Sequence, residues 1–158
     1  MRLFLLIVFI GLSAFSQKIN LGDLTGYQNS SLDTIKQEFH VYLDDHILTI
    51  NLNNFEKTIT PLALEESLPP TTQYLTSPPI WVQNKPYFPY ASGGMVYTIE
   101  NDTIKRIDNS FDHGMQYGAP VFEHKGTIFK YGGYGFWSVR DFFTYYDQLQ
   151  NEWEVLSP

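Results

Sequence analysis

The chain has 158 residues, long enough for one domain, and a formal net charge of −7, which repels phosphate backbones, so nucleic acid is not an expected partner. It has no cysteine, which rules out disulfides, thiol catalysis and thiolate metal sites, so stability must come from core burial alone, which roughly 140 residues can supply. Its 12 Phe, 11 Tyr and 3 Trp, set among 11 Gly and 9 Pro, favour short strands and tight turns over helices.

Met1-Arg2 opens the chain with one positive charge. An apolar run over 3–12 follows, and then Ala14-Phe15-Ser16. This is the layout of a secretory signal peptide over residues 1–16, cut after Ser16. The run is about half the roughly 20 residues that a spanning helix needs. No cysteine follows it to carry a lipid anchor, so no membrane span is expected after cleavage. The expected location is outside the cytoplasm, secreted or periplasmic, in a bacterial envelope.

Residues 17–36 are polar and sparse in apolar side chains, and read as an irregular lead-in. Alternating apolar residues predict strands over 39–43, 47–52 and 56–60, separated by turns at Asp44-Asp45-His46 and Asn53-Asn54. Seven of the nine prolines then lie between Pro61 and Pro89. Proline fixes φ and removes a ladder donor, so 61–89 reads as a connection. Within it a short helix is expected over 62–68, stopped by Pro69-Pro70, and a strand over 80–83. After Gly93-Gly94, strands are expected over 95–99 and 103–107, with a turn at Glu100-Asn101-Asp102. A polar loop over 108–116 leads to a strand over 118–123 and a turn at His124-Lys125-Gly126. The last segment gives an apolar strand ending in Gly132-Gly133, a loop, an aromatic strand ending Tyr146-Asp147, and a strand carrying Trp153.

The two double glycines lie 39 residues apart. A spacing of roughly 40–50 residues with about four strands per unit is the range of propeller repeats. From Gln116 to the end, the chain resembles a kelch repeat. The double glycine is Gly132-Gly133, the Tyr-Asp pair that ends the third strand is Tyr146-Asp147, and Trp153 stands seven residues after Tyr146. The resemblance implies an all-β fold of antiparallel four-stranded blades belonging to a partial kelch-type β-propeller over 37–158. Its candidate blades are 37–61, 79–109 and 116–157. It gives Gly132, Gly133, Tyr146, Asp147 and Trp153 structural roles. Rings need at least about four blades, so further C-terminal blades of a longer chain are expected. The bulky strand over 142–146 is apolar on both faces, as expected of a blade covered on both sides.

No pair among His40, His46, His113 and His124 has metal-ligand spacing on a helix, and His46 and His124 fall in predicted turns. Asp44-Asp45 reads as turn chemistry and Glu65-Glu66 as a solvated face. Asp108, Asp112 and His113 are a weak candidate for a polar cluster. Gly132-Gly133-Tyr134-Gly135 lacks the lysine and the following helix of a phosphate loop. No catalytic residue, metal or cofactor is expected. The candidate ligand-binding residues are Tyr134, Phe136, Trp137 and Arg140, in the loop between the second and third strands of the last unit. Exposed aromatics beside an arginine suit a protein or carbohydrate ligand. The competing expectation is that they pack on the loops of a neighbouring blade. The functional expectation is therefore a recognition module that is not catalytic by itself. The alternatives are part of a sugar-processing envelope enzyme of the sialic-acid-epimerase type, and the sensor portion of a larger signalling protein.

Overall fold

The computed structural model describes residues 20–68, 74–91, 93–110 and 114–156. The signal-peptide segment lies outside them, as do Asp112 and His113. The described residues contain strands and turns and no helix.

The strands form three successive four-stranded antiparallel meanders, none of them closed into a barrel. The first consists of β1 (Asn29–Asp33), β2 (Glu38–Tyr42), β3 (His46–Asn51) and β4 (Lys57–Pro61), paired in chain order. The second runs through β6 (Ile80–Val82), β7 (Lys85–Pro89), β8 (Val96–Glu100) and β9 (Thr103–Arg106), with the two-residue β5 (Ala63–Leu64) added parallel to β9. The third consists of β10 (Val121–His124), β11 (Thr127–Tyr131), β14 (Phe143–Asp147) and β15 (Glu152–Val155). Between β11 and β14 a small hairpin of β12 (Tyr134–Gly135) and β13 (Ser138–Val139) stands apart.

Alternation places successive side chains on opposite faces of each sheet, and both faces of the second sheet are used. Phe88, Tyr97 and Ile104 join Tyr42 of the first sheet in one core, completed by Tyr74 and Leu75. The Tyr42 and Phe88 rings meet edge to face at 5.1 Å. On the opposite face Val82, Tyr87 and Val96 pack with Ile128 and Tyr146 of the third sheet, flanked by Trp153 and Val121. The outer face of the first sheet is also covered: Val41, Leu43, Leu48 and Ile50 are buried, with Leu21 and Leu24 of the lead-in packed against them.

Several expectations need correction. No helix forms over 62–68; β5 and a turn stand there, because Ala63 N–H and Glu65 N–H donate to the carbonyls of Asp102 and Ile104 beside β9. The lead-in is irregular only up to Gln28, and β1 follows as the edge of the first sheet. Residues Lys85–Pro89 form a central strand despite Pro86 and Pro89; the Pro86 carbonyl still accepts a hydrogen bond from Thr98 Oγ1 at 2.7 Å. His46 is the first residue of β3 rather than a turn residue, its Nδ1 2.6 Å from Asp45 Oδ1. Among the described residues the third sheet is covered on one face only: Tyr146 and Thr144 are buried, whereas Phe143 is 39% exposed.

Candidate functional site

The hairpin between β11 and β14 is built on contacts that need glycine. Gly133 has φ of +88°, and a Cβ there would lie 2.8 Å from the Gln116 backbone carbon. Gly132 has φ of +66° and faces the Arg140 carbonyl. A Cβ on Gly135 would meet the carbonyl oxygens of Gly114 and Met115 at 2.5 Å. The segment 114–117 therefore runs directly across the base of the hairpin. Tyr117 and Tyr134 exchange backbone hydrogen bonds of 2.9 and 3.0 Å there. The buried Gln116 amide donates to the Gly132 carbonyl at 3.3 Å and accepts from Thr144 Oγ1 at 2.7 Å, which locks the base to the third sheet.

Phe136 and Trp137 are the two turn residues, with φ of +49° and +64°. Two left-handed residues in a two-residue loop make the turn that matches strand twist, and it favours Asn, Asp and Gly. Three other two-residue hairpin turns in the described chain follow that preference: Gln83-Asn84, Asn101-Asp102 and Lys125-Gly126 each hold at least one such residue. Phe136-Trp137 holds none. A left-handed L-residue with a large side chain costs about 1–2 kcal/mol, so the turn is strained at both positions and held by its glycine-mediated base.

The strain presents aromatic surface to solvent. Trp137 is 93% exposed, Phe136 66% and Tyr134 48%, with Tyr117 alongside at 63%. The Arg140 guanidinium lies 5.7 Å from the Phe136 ring centroid, its backbone N–H donates to the Gly133 carbonyl at 2.8 Å, and its Nε is buried without a hydrogen-bond partner among the described residues. The structure thus brings Phe136 and Arg140 together, sets Tyr134 beside Tyr117, and leaves Trp137 at the tip. Packing of Trp137 on another loop does not occur among the described residues. Tyr117 was not a candidate in the sequence, because it lies outside the glycine-bounded loop.

Trp153, Tyr146 and Asp147 each make hydrogen bonds within the fold. Trp153 Nε1 donates to the Gly94 carbonyl at 2.9 Å, tying the third sheet to the double-glycine turn of the second. Tyr146 OH donates to the Ile107 carbonyl at 3.1 Å, and burial raises its pKa. Asp147 accepts from the backbone N–H groups of Leu149 and Gln150, capping the turn before β15.

Two further polar features were not read from the sequence, which set Asp108 with Asp112 and His113 and not with Arg106. Arg106 and Asp108 form a bidentate pair at the end of β9, with Asp108 also accepting from the Val96 and Ser110 N–H groups. That pair lines a cavity of about 710 Å³ with Tyr74, Tyr90, Tyr97 and Glu65. Burial pushes the Tyr97 phenol up to about 12. Lys130 is buried on the inner face of β11, its ammonium 4.3 Å from the Trp153 ring centroid and 3.4 Å from the Tyr90 carbonyl. Burial pulls it down to about 8. Among the described residues no group of three or more His, Asp or Glu side chains is placed to hold a metal ion, and no helix is long and apolar enough to cross a membrane. The chain matches no known family model and no curated protein sequence.

Proposed function

We propose that the protein is an exported recognition module built as a kelch-type propeller segment, its three meanders being successive blades. It binds a protein or glycan ligand through the hairpin carrying Tyr134, Phe136, Trp137 and Arg140. One observation carries this reading: a strained turn holds Trp137 93% exposed above a rigid base. Strained backbone persists where surrounding structure over-determines it, and such outliers concentrate at binding sites. A rigid aromatic with an arginine nearby supplies contact area at little entropic loss. The repeat reading is supported by the equivalent placement of Gly93-Gly94 on the β7–β8 connection and Gly132-Gly133 on the β11–β14 connection.

The test is binding of the purified protein to a glycan array and to an array of surface proteins, with Trp137→Ala in parallel. Specific signals that Trp137→Ala abolishes support the reading. Signals unchanged by that substitution, or no signal on either array, overturn it. A second reading, part of a sugar-processing envelope enzyme, rests on the 710 Å³ cavity with its Arg106–Asp108 pair and three tyrosines. Sugar turnover that survives Trp137→Ala and is lost in Arg106→Ala would favour it.

A further inference from the structure

Lys130 stands on the inner face of β11, where the register sets it between Val121 of β10 and Thr144 of β14. It is 2% exposed. A lysine buried this far ordinarily has a carboxylate partner, because an unpaired ammonium gives up its hydration without return. Lys130 forms no salt bridge among the described residues. The carboxylate whose field reaches it, Asp108, is held by Arg106 and by the Val96 and Ser110 N–H groups. The ammonium has the face of Trp153 and one long hydrogen bond, to the Tyr90 carbonyl.

Lys130 and Tyr90 line a cavity of about 270 Å³ where β6 and β7 of the second sheet meet β10 and β11 of the third. Of the residues around it, Pro89 and Lys130 are buried, whereas Gly118 and Pro120 are exposed. The cavity therefore runs from solvent towards the lysine. Ile80, Pro89 and Val121 give it apolar walls, and Ser77 adds a hydroxyl donor. Lys130 is the one charged group among the described residues that line it. One cation offsets one negative charge, so a dianion such as a phosphate ester would leave charge unpaired in apolar surroundings. A carboxylate brings a single charge and accepts from both an ammonium and a hydroxyl. The volume lies just below the roughly 300 Å³ at which pockets for drug-sized ligands begin, so the ligand is small.

We propose that this cavity binds a small monocarboxylate with an apolar body, its carboxylate paired with the Lys130 ammonium and its chain against Ile80, Pro89 and Val121. Tyr134, Phe136, Trp137 and Arg140 do not line the cavity, so the assignment does not depend on the proposed function. Calorimetric titration of the purified protein with hexanoate, followed by methyl-resolved NMR, tests it. Hexanoate is expected to saturate a single site and to shift the Ile80 and Val121 methyl signals. Hexanol keeps the chain without the charge, and acetate keeps the charge without the chain; each should bind at least about tenfold more weakly. Lys130→Met removes the charge at similar length and should weaken hexanoate by a similar factor with unchanged circular dichroism. Ala119→Phe, which fills the cavity and leaves the lysine in place, should do the same. No hexanoate binding by the wild type up to about 10 mM overturns the proposal. So does binding that Lys130→Met leaves intact, or binding that moves methyl signals only outside the cavity. Acetate or inorganic phosphate held as tightly as hexanoate would overturn the ligand class.

Discussion

Gly133 and Gly126 separate two reasons for a glycine. Both have φ above +80°, but a Cβ on Gly126 meets open space whereas one on Gly133 meets the Gln116 backbone. Gly126→Ala is expected to lose about 1–2 kcal/mol from the left-handed conformation alone. Gly133→Ala should lose about 2–4 kcal/mol, because backbone must also shift. Urea unfolding of the two variants measures the difference, and equal losses would contradict the packing assigned to Gln116. Lys130 supplies a pH dependence. Its folded pKa, lowered from 10.5 to about 8, means that the unfolded chain binds the additional proton between those values. Stability therefore rises with pH through that window. Tyr97 acts with the opposite sign: raised from 10.0 to about 12, it holds its proton in the fold, and that contribution fades only above pH 10. Urea midpoints between pH 7.5 and 9.5 should rise in the wild type and stay flat in Lys130→Met. A rise of equal size in both would show that another group is responsible.

At the scale of elements, the Phe136-Trp137 turn sets stability against exposure. Replacing it with Asn-Gly gives the turn residues that tolerate left-handed backbone. The variant should gain about 1–3 kcal/mol, measured by thermal unfolding, while Trp137→Ala alone should change stability by less than about 0.5 kcal/mol, since the side chain touches little. The turns most legible in the sequence were those whose chemistry matches their geometry, such as Asn101-Asp102 and Lys125-Gly126. The Phe136-Trp137 turn was legible only as part of a loop, because aromatics do not announce a left-handed turn. β1 was illegible because Asn29-Ser30-Ser31 carries no apolar alternation, and its pairing with β2 supplies what propensity does not. β7 was hidden by Pro86 and Pro89, whose missing donors the sheet tolerates around Tyr87 and Phe88. The last sheet was legible because Gly132-Gly133, Tyr146-Asp147 and Trp153 are each tied to one geometric requirement.

At the scale of the whole molecule, the second sheet is the centre of the structure, since it shares one core with the first sheet and another with the third. Phe88, at the junction with the first sheet, is fully buried. Phe88→Ala is expected to cost about 3–5 kcal/mol and to loosen the first and second sheets together; hydrogen exchange resolved by strand would show it, and protection lost in β7 alone would speak against a shared core. The hairpin that carries the candidate ligand residues was legible as a glycine-bounded loop, but the cavity beside Arg106 and Asp108 was not. Its walls come from Glu65 and Leu68, from Tyr74, from Tyr90 and Met95, and from Arg106 and Asp108, which only the folded chain brings together. The central claim is that the hairpin tip is the recognition surface. The most direct test is array binding by the variant in which Phe136-Trp137 is replaced by Asn-Gly, compared with wild type at equal concentration. The account expects a variant that is more stable than wild type and has lost its ligand signals. A variant equally or more stable that binds the same ligands as strongly would contradict it.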